Sequence, residues 1–85
     1  MEDYQKRLIV EYIEIKERLS RLSDFLDRVS DGEAFTDCPF ELLTEQEKIM
    51  KRYKNILINR SYYEHIPLYE YDSVKLDDND INVTI

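Results

Sequence analysis

Lys48, Lys51, Arg52, Lys54 and Arg60 fall within the stretch Thr44–Arg60 of a chain whose formal net charge is −7. Cations gathered around Tyr53 in an acidic chain suit a small anionic ligand: charge-assisted hydrogen bonds hold phosphates, and the aromatic ring stacks on a base. Two readings stand side by side. In one, Lys48, Lys51, Arg52 and Lys54 form a solvated face paired with Glu14, Glu17, Asp24 and Asp27 of a neighbouring helix, and each pair is worth little. In the other, helix ends from several chains meet and each supplies one or two cations to an anionic pocket. Other chemistry is thin. Cys38 is the only cysteine and His65 the only histidine, so intrachain disulfides, thiolate clusters and zinc sites built on His pairs are excluded. Without a nucleophile–base pair at useful spacing, the chain reads as a non-enzyme needing no cofactor. "DDND" at 77–80 lacks the Gly and terminal Glu of a calcium loop and reads as a solvated acidic run.

At 85 residues the chain is one domain with a small core. With no disulfide or metal to staple it, oligomerisation is the remaining route to more buried area. The start, "MEDYQKR", places acids before any apolar run and does not read as a signal peptide. No apolar run approaches a membrane span, so a soluble, cytosolic protein is expected. The overall acidity argues against general nucleic-acid binding, which depends on neutralising phosphates with Lys and Arg.

The elements that must position these residues are helices. Leu8, Tyr12, Ile15, Leu19, Leu22, Leu26 and Val29 recur in alternating steps of four and three, predicting an amphipathic helix over about 3–29. Ile9, Ile13 and Phe25 widen the seam into a second stripe, for which other chains are the expected cover. Gly32 suits a C-terminal cap, and Phe35, Phe40, Leu42 and Leu43 are expected against the hairpin end. Thr44-x-x-Glu47 reads as a capping box opening a second helix over about 44–63. Its seam is read as Gln46, Met50, Tyr53, Leu57 and Arg60, flanked by Ile49 and Ile56. The fold class is therefore all-α: an antiparallel two-helix hairpin over 1–60, assembling into a homo-oligomer, with an irregular acidic tail over 61–85. That tail holds one Lys against six acids and four of the seven tyrosines. A strand, a wrap around a neighbouring subunit, or disorder are all open to it.

"YQKRLIVEYIEIKERLSRLSDFL" followed by "LLTEQEKIMKRYKNILINR" resembles the helical hairpin domain of phage anti-CBASS and anti-Thoeris nucleotide sponges. The likeness is carried by Tyr4-Gln5-x-Arg7, by the spacing of Leu19, Leu22 and Phe25, and by Leu43, Gln46, Met50, Tyr53, Leu57 and Arg60. It covers residues 4 to 60. The resemblance implies a homohexamer in the cytoplasm of an infected bacterial host. There it would sequester cyclic oligonucleotide immune messengers, trinucleotides or dinucleotides, without cleaving them. Arg60 would face messenger phosphates beside Arg7 or Gln5 of a neighbouring chain, one arginine per chain converging on a threefold axis. Gln5, Arg7, Tyr53 and Arg60 are thus the candidate ligand-binding residues. The anti-CBASS sponges carry extra N-terminal sequence that contributes to their dinucleotide site, whereas this seam begins almost at Met1. Two alternatives come from other classes: an acidic inhibitor presenting the tail as a phosphate mimic, and a coiled-coil adaptor without a small ligand.

Overall fold

A computed structural model describes residues 2–72 of the chain. Two long helices dominate: α1 over Asp3–Ser30 and α2 over Phe40–Tyr63, followed by one 3-10 turn over Leu68–Tyr71. The described residues contain no strand. The helices run antiparallel, as the expected hairpin requires: Gln5 reaches the Glu64 carbonyl, Tyr53 reaches Glu11, and Ser23 reaches Glu47.

Each helix ends in the same way. At the end of α1, Gly32 N–H donates to the Val29 carbonyl and Glu33 N–H to the Arg28 carbonyl, with Gly32 at φ +80°. This is a Schellman cap, with glycine in the left-handed position where a Cβ is unwelcome. At the end of α2, His65 N–H donates to the Tyr62 carbonyl and Ile66 N–H to the Ser61 carbonyl. Here the left-handed position is held by His65 at φ 58°. The reversal turns the chain back toward α1, and Pro67, which has no N–H, cannot resume the helix.

The start of α2 differs from expectation. The helix begins one turn earlier, at Phe40, and the Thr44–Glu47 capping box does not form. Leu42 and Leu43 N–H groups donate to the Pro39 carbonyl, and the fixed φ of Pro39 suits this entry. Thr44, now inside the helix, donates its hydroxyl to the Glu41 carbonyl at 2.9 Å. Glu47 instead accepts from Ser23 Oγ at 2.6 Å and ties the two helices together. The connecting residues are also more open than expected: Phe35 is 86% exposed, and Phe40 and Leu42 are exposed as well.

Leu8, Tyr12, Ile15, Leu19 and Leu26 are buried along α1 as their spacing requires. On α2 the buried seam is not the expected one. Met50 and Leu57 lie in it with Leu43, Glu47, Lys54 and Ser61, whereas Gln46, Tyr53 and Arg60 are exposed. The reason is a one-residue rotation: the steps of four and three can be counted from Leu43 as readily as from Gln46. Both sets run through Met50 and the fully buried Leu57, and only the first takes in Leu43, Glu47, Lys54 and Ser61, the half-buried or buried positions.

Ile9 and Ile13, expected to need another chain as cover, are buried within this one. Ile66 and Leu68, delivered by the turn after α2, pack into the same cluster as Leu8, Ile9, Tyr12, Ile13, Ile15 and Leu57, with Tyr71 beside them. Polar contacts hold this segment in place. Tyr12 donates its hydroxyl to Asp72 Oδ1 at 2.7 Å, and Lys16 Nζ donates to the carbonyls of Tyr71 and Asp72. The Lys16 ammonium also lies 5.4 Å from the centre of the Tyr12 ring. Residues 64–72 therefore form a clasp across α1, and the first part of the expected tail belongs to the core. The acidic run at 77–80 lies outside the described residues.

Candidate ligand-binding face

One face of the hairpin is left open, and it carries most of the chemistry. On α2 the positions Leu42, Gln46, Ile49, Tyr53, Ile56, Arg60 and Tyr63 recur in steps of four and three, and all are exposed. Tyr53 and Arg60 stand one heptad apart on this stripe, about 10 Å along the helix. They feel each other electrostatically, since the Arg60 charge pulls the Tyr53 phenol downward. Burial, the hydrogen bond to Glu11 and the Glu11 charge each outweigh that pull, and Glu14 adds a smaller push, so the net direction is upward. The phenol stays neutral around pH 7 and donates to Glu11 Oε2 at 2.8 Å. Its ring is fixed at the edge while remaining partly accessible.

Glu11, Glu14, Ile15, Arg18 and Tyr53 line a small cleft at this edge. Glu14 is an unusual wall. Its Oε1 is buried and has no hydrogen-bond partner, with only the Arg18 guanidinium at 3.8 Å. The cations of α2 behave differently from the paired-face reading where an ion pair is seen. Lys51 sits 3.8 Å from Glu47 of its own helix, and Glu14 likewise pairs along α1 with Arg18.

The other candidate residues lie at the open end of the hairpin. Arg7 is exposed on α1 between Gln5 and Glu11, whose partners on the α2 side are Glu64 and Tyr53. This register brings Arg7 and Arg60 to the same end of the molecule. Arg60, in the last turn of α2, also complements the negative end of that helix. Gln5 is already engaged. Its Oε1 accepts the Glu2 N–H at 2.9 Å, capping α1, and its Nε2 points at the Glu64 carbonyl at 3.5 Å. Beside it the Glu64 carboxylate, accepting from Tyr4, holds that phenol above its usual range. Gln5 thus has a structural task that the resemblance alone did not reveal, although Glu2 and Gln5 stand at capping-box spacing. Among the described residues no cluster of His, Cys, Asp and Glu is placed to hold a metal ion. No helix among them is long and apolar enough to cross a membrane.

The family model described as Sequestin matches residues 2–61, from the cap of α1 to the last buried position of α2. The chain belongs to the Sequestin family. The name points to a sequestering role, and the match spans the hairpin, including Gln5, Arg7, Tyr53 and Arg60. The clasp, residues 64–72, lies beyond the Sequestin match. No curated protein and no solved structure matches the chain.

Proposed function

We propose that this Sequestin-family chain is a phage anti-defence sponge, which captures cyclic oligonucleotide immune messengers without cleaving them in the cytoplasm of the infected bacterium. The observation that carries this reading is the pairing of an aromatic ring, Tyr53, with a guanidinium, Arg60, one heptad apart on an open stripe of a chain whose family name points to sequestration. Arg60 and Arg7 supply forked donors to phosphates, and Tyr53 offers a ring for stacking on a base. Capture asks for no general base or nucleophile, and the proposed site uses none. Copies of the chain assemble, a homohexamer in the reading drawn from the resemblance, so that cations from several chains reach one ligand.

Isothermal titration against cyclic dinucleotides, cyclic trinucleotides and cyclic ADP-ribose isomers tests this. Dissociation constants below about 1 μM, roughly −8 kcal/mol, are expected for at least one messenger, which is recovered intact afterwards. Heat-silent titrations across the whole panel would remove the reading.

The competing reading, an acidic inhibitor that mimics nucleic acid, draws on the six acids of residues 61–85. A deletion that separates the two must spare the clasp, because Ser61, Ile66 and Leu68 are core residues. Residues 1–72 should therefore retain messenger capture, whereas a mimic would be weakened by losing Asp77, Asp78 and Asp80.

A further inference from the structure

The open stripe of α2 has a pattern that capture of a small ligand does not require. Leu42 is 61% exposed, Ile49 56%, Ile56 54% and Tyr63 81%, at intervals of seven residues on a regular helix. A solvated helix face does not need four large apolar groups in register, and this seam lies apart from the one buried against α1. The pattern is also close to a palindrome about Tyr53: Ile49 and Ile56 flank it, Gln46 and Arg60 follow, and Leu42 and Tyr63 close the two ends.

We propose that α2 pairs antiparallel with α2 of a second copy of this chain along this stripe, with Tyr53 nearest the twofold axis. Self-complementarity is what a twofold interface demands, because one patch must serve both partners. Charge selects the direction. A parallel pair would set Arg60 against its own copy at one end and Glu45 against its own copy at the other. The antiparallel pair carries each Arg60 toward the Glu41 and Glu45 end of the other chain and opposes the two helix dipoles. The pairing deepens the assembly in the proposed function by naming the face and direction. It also divides the candidate site between copies, since the groups around each Tyr53 and Arg60 then come from two chains.

The test begins with sedimentation equilibrium of the full chain without any ligand, so that pairing and capture are judged separately. The wild type is expected at a multiple of the 10.3 kDa chain mass, and Ile49→Glu and Ile56→Glu at no more than half the wild-type mass. Both variants should keep the wild-type helical circular dichroism, because these side chains are exposed in the hairpin. Each should weaken self-association by at least about 100-fold, as burying an unpaired carboxylate is costly. In a Cys38→Ser background, Tyr53→Cys should cross-link to its own copy under mild oxidation, since a disulfide needs Cα atoms within about 7 Å. Asn55→Cys, on the far side of α2, should remain monomeric on a denaturing gel. A wild type that sediments as a single chain, an assembly mass unchanged by both glutamates, or cross-linking through Asn55→Cys in place of Tyr53→Cys would each overturn the proposal. If the pairing fails while titration still shows a messenger bound, only the interface is lost; the reverse result leaves a paired helix without a sponge.

Discussion

The Tyr12 hydroxyl donates to Asp72 Oδ1 at 2.7 Å, joining the first half of α1 to a residue beyond the end of α2. Burial, followed by the hydrogen bond and charge of Asp72, pushes the Tyr12 phenol up to about 12. Below pH 10 the phenol is neutral both folded and unfolded, and the bond contributes fully. Between about pH 10 and 12 the unfolded chain releases the proton first, so stability falls as pH rises through that window. Tyr12→Phe should flatten part of this fall while lowering stability near pH 8. Tyr4 and Tyr53 are raised too and share the slope, so the difference between wild type and variant isolates Tyr12. Urea midpoints from pH 8 to 11.5 provide the measurement; parallel curves would mean that neither burial nor Asp72 raises the Tyr12 phenol in solution.

Leu57→Ala should be the most damaging single truncation of α2. Leu57 is 0% exposed and sits where α1, α2 and the clasp meet. A loss of about 2–5 kcal/mol is expected from transfer and cavity terms together. Ile56→Ala, one position away and exposed, should cost far less in the hairpin itself. Denaturant unfolding at a protein concentration where association is absent compares the two.

His65→Gly should stabilise the chain. The position holds φ 58°, in a cap where glycine is favoured, and the side chain is exposed. Relief of the left-handed strain exceeds the added freedom of the unfolded chain, for a net gain of up to about 1 kcal/mol. A thermal midpoint that drops would show that the imidazole makes a contact worth more than the strain.

Arg60→Ala should leave the hairpin folded, at a cost of at most about 1 kcal/mol for the lost helix-end charge, while lowering messenger affinity. The expected loss is about 1.5–3 kcal/mol for each charged hydrogen bond removed. Arg60→Lys should recover the charge without the planar fork and restore only part of the affinity. Titration of the three proteins against the same messenger gives the comparison, and equal affinities would take Arg60 out of the site.

Much of the hairpin was legible in the residues, for reasons that can be named. The α1 seam from Leu8 to Leu26 repeats without interruption, and Gly32 is the chain's only glycine, placed where a left-handed residue ends the helix. The start of α2 was misleading because Thr44 and Glu47 match a capping signature that a helix interior also tolerates. A threonine there can bond backward, as Thr44 does to Glu41. The rotation of α2 was ambiguous because two seams of the same period share Met50 and Leu57 and differ by one residue elsewhere, Gln46, Tyr53 and Arg60 in one against Glu47, Lys54 and Ser61 in the other. The clasp was the least legible element. Its anchors are short, Ile66 and Leu68 around a proline, and the turn that aims them uses a histidine where the rule favours glycine. Of the candidate site, exposure singles out Arg7, Tyr53 and Arg60 as available, while the backbone duties of Gln5 appear only once Glu2 and Glu64 are placed.

The clasp also sets an order on the birth of the molecule. Ile9 and Ile13 leave the ribosome early, and their covers, Ile66 and Leu68, are among the later residues made. At a synthesis rate of about 5–20 residues per second, the apolar strip of α1 stays uncovered for several seconds. Throughout that interval the nascent chain is at its most adhesive, toward a chaperone or toward another copy emerging from the same message. Closure of the clasp ends it.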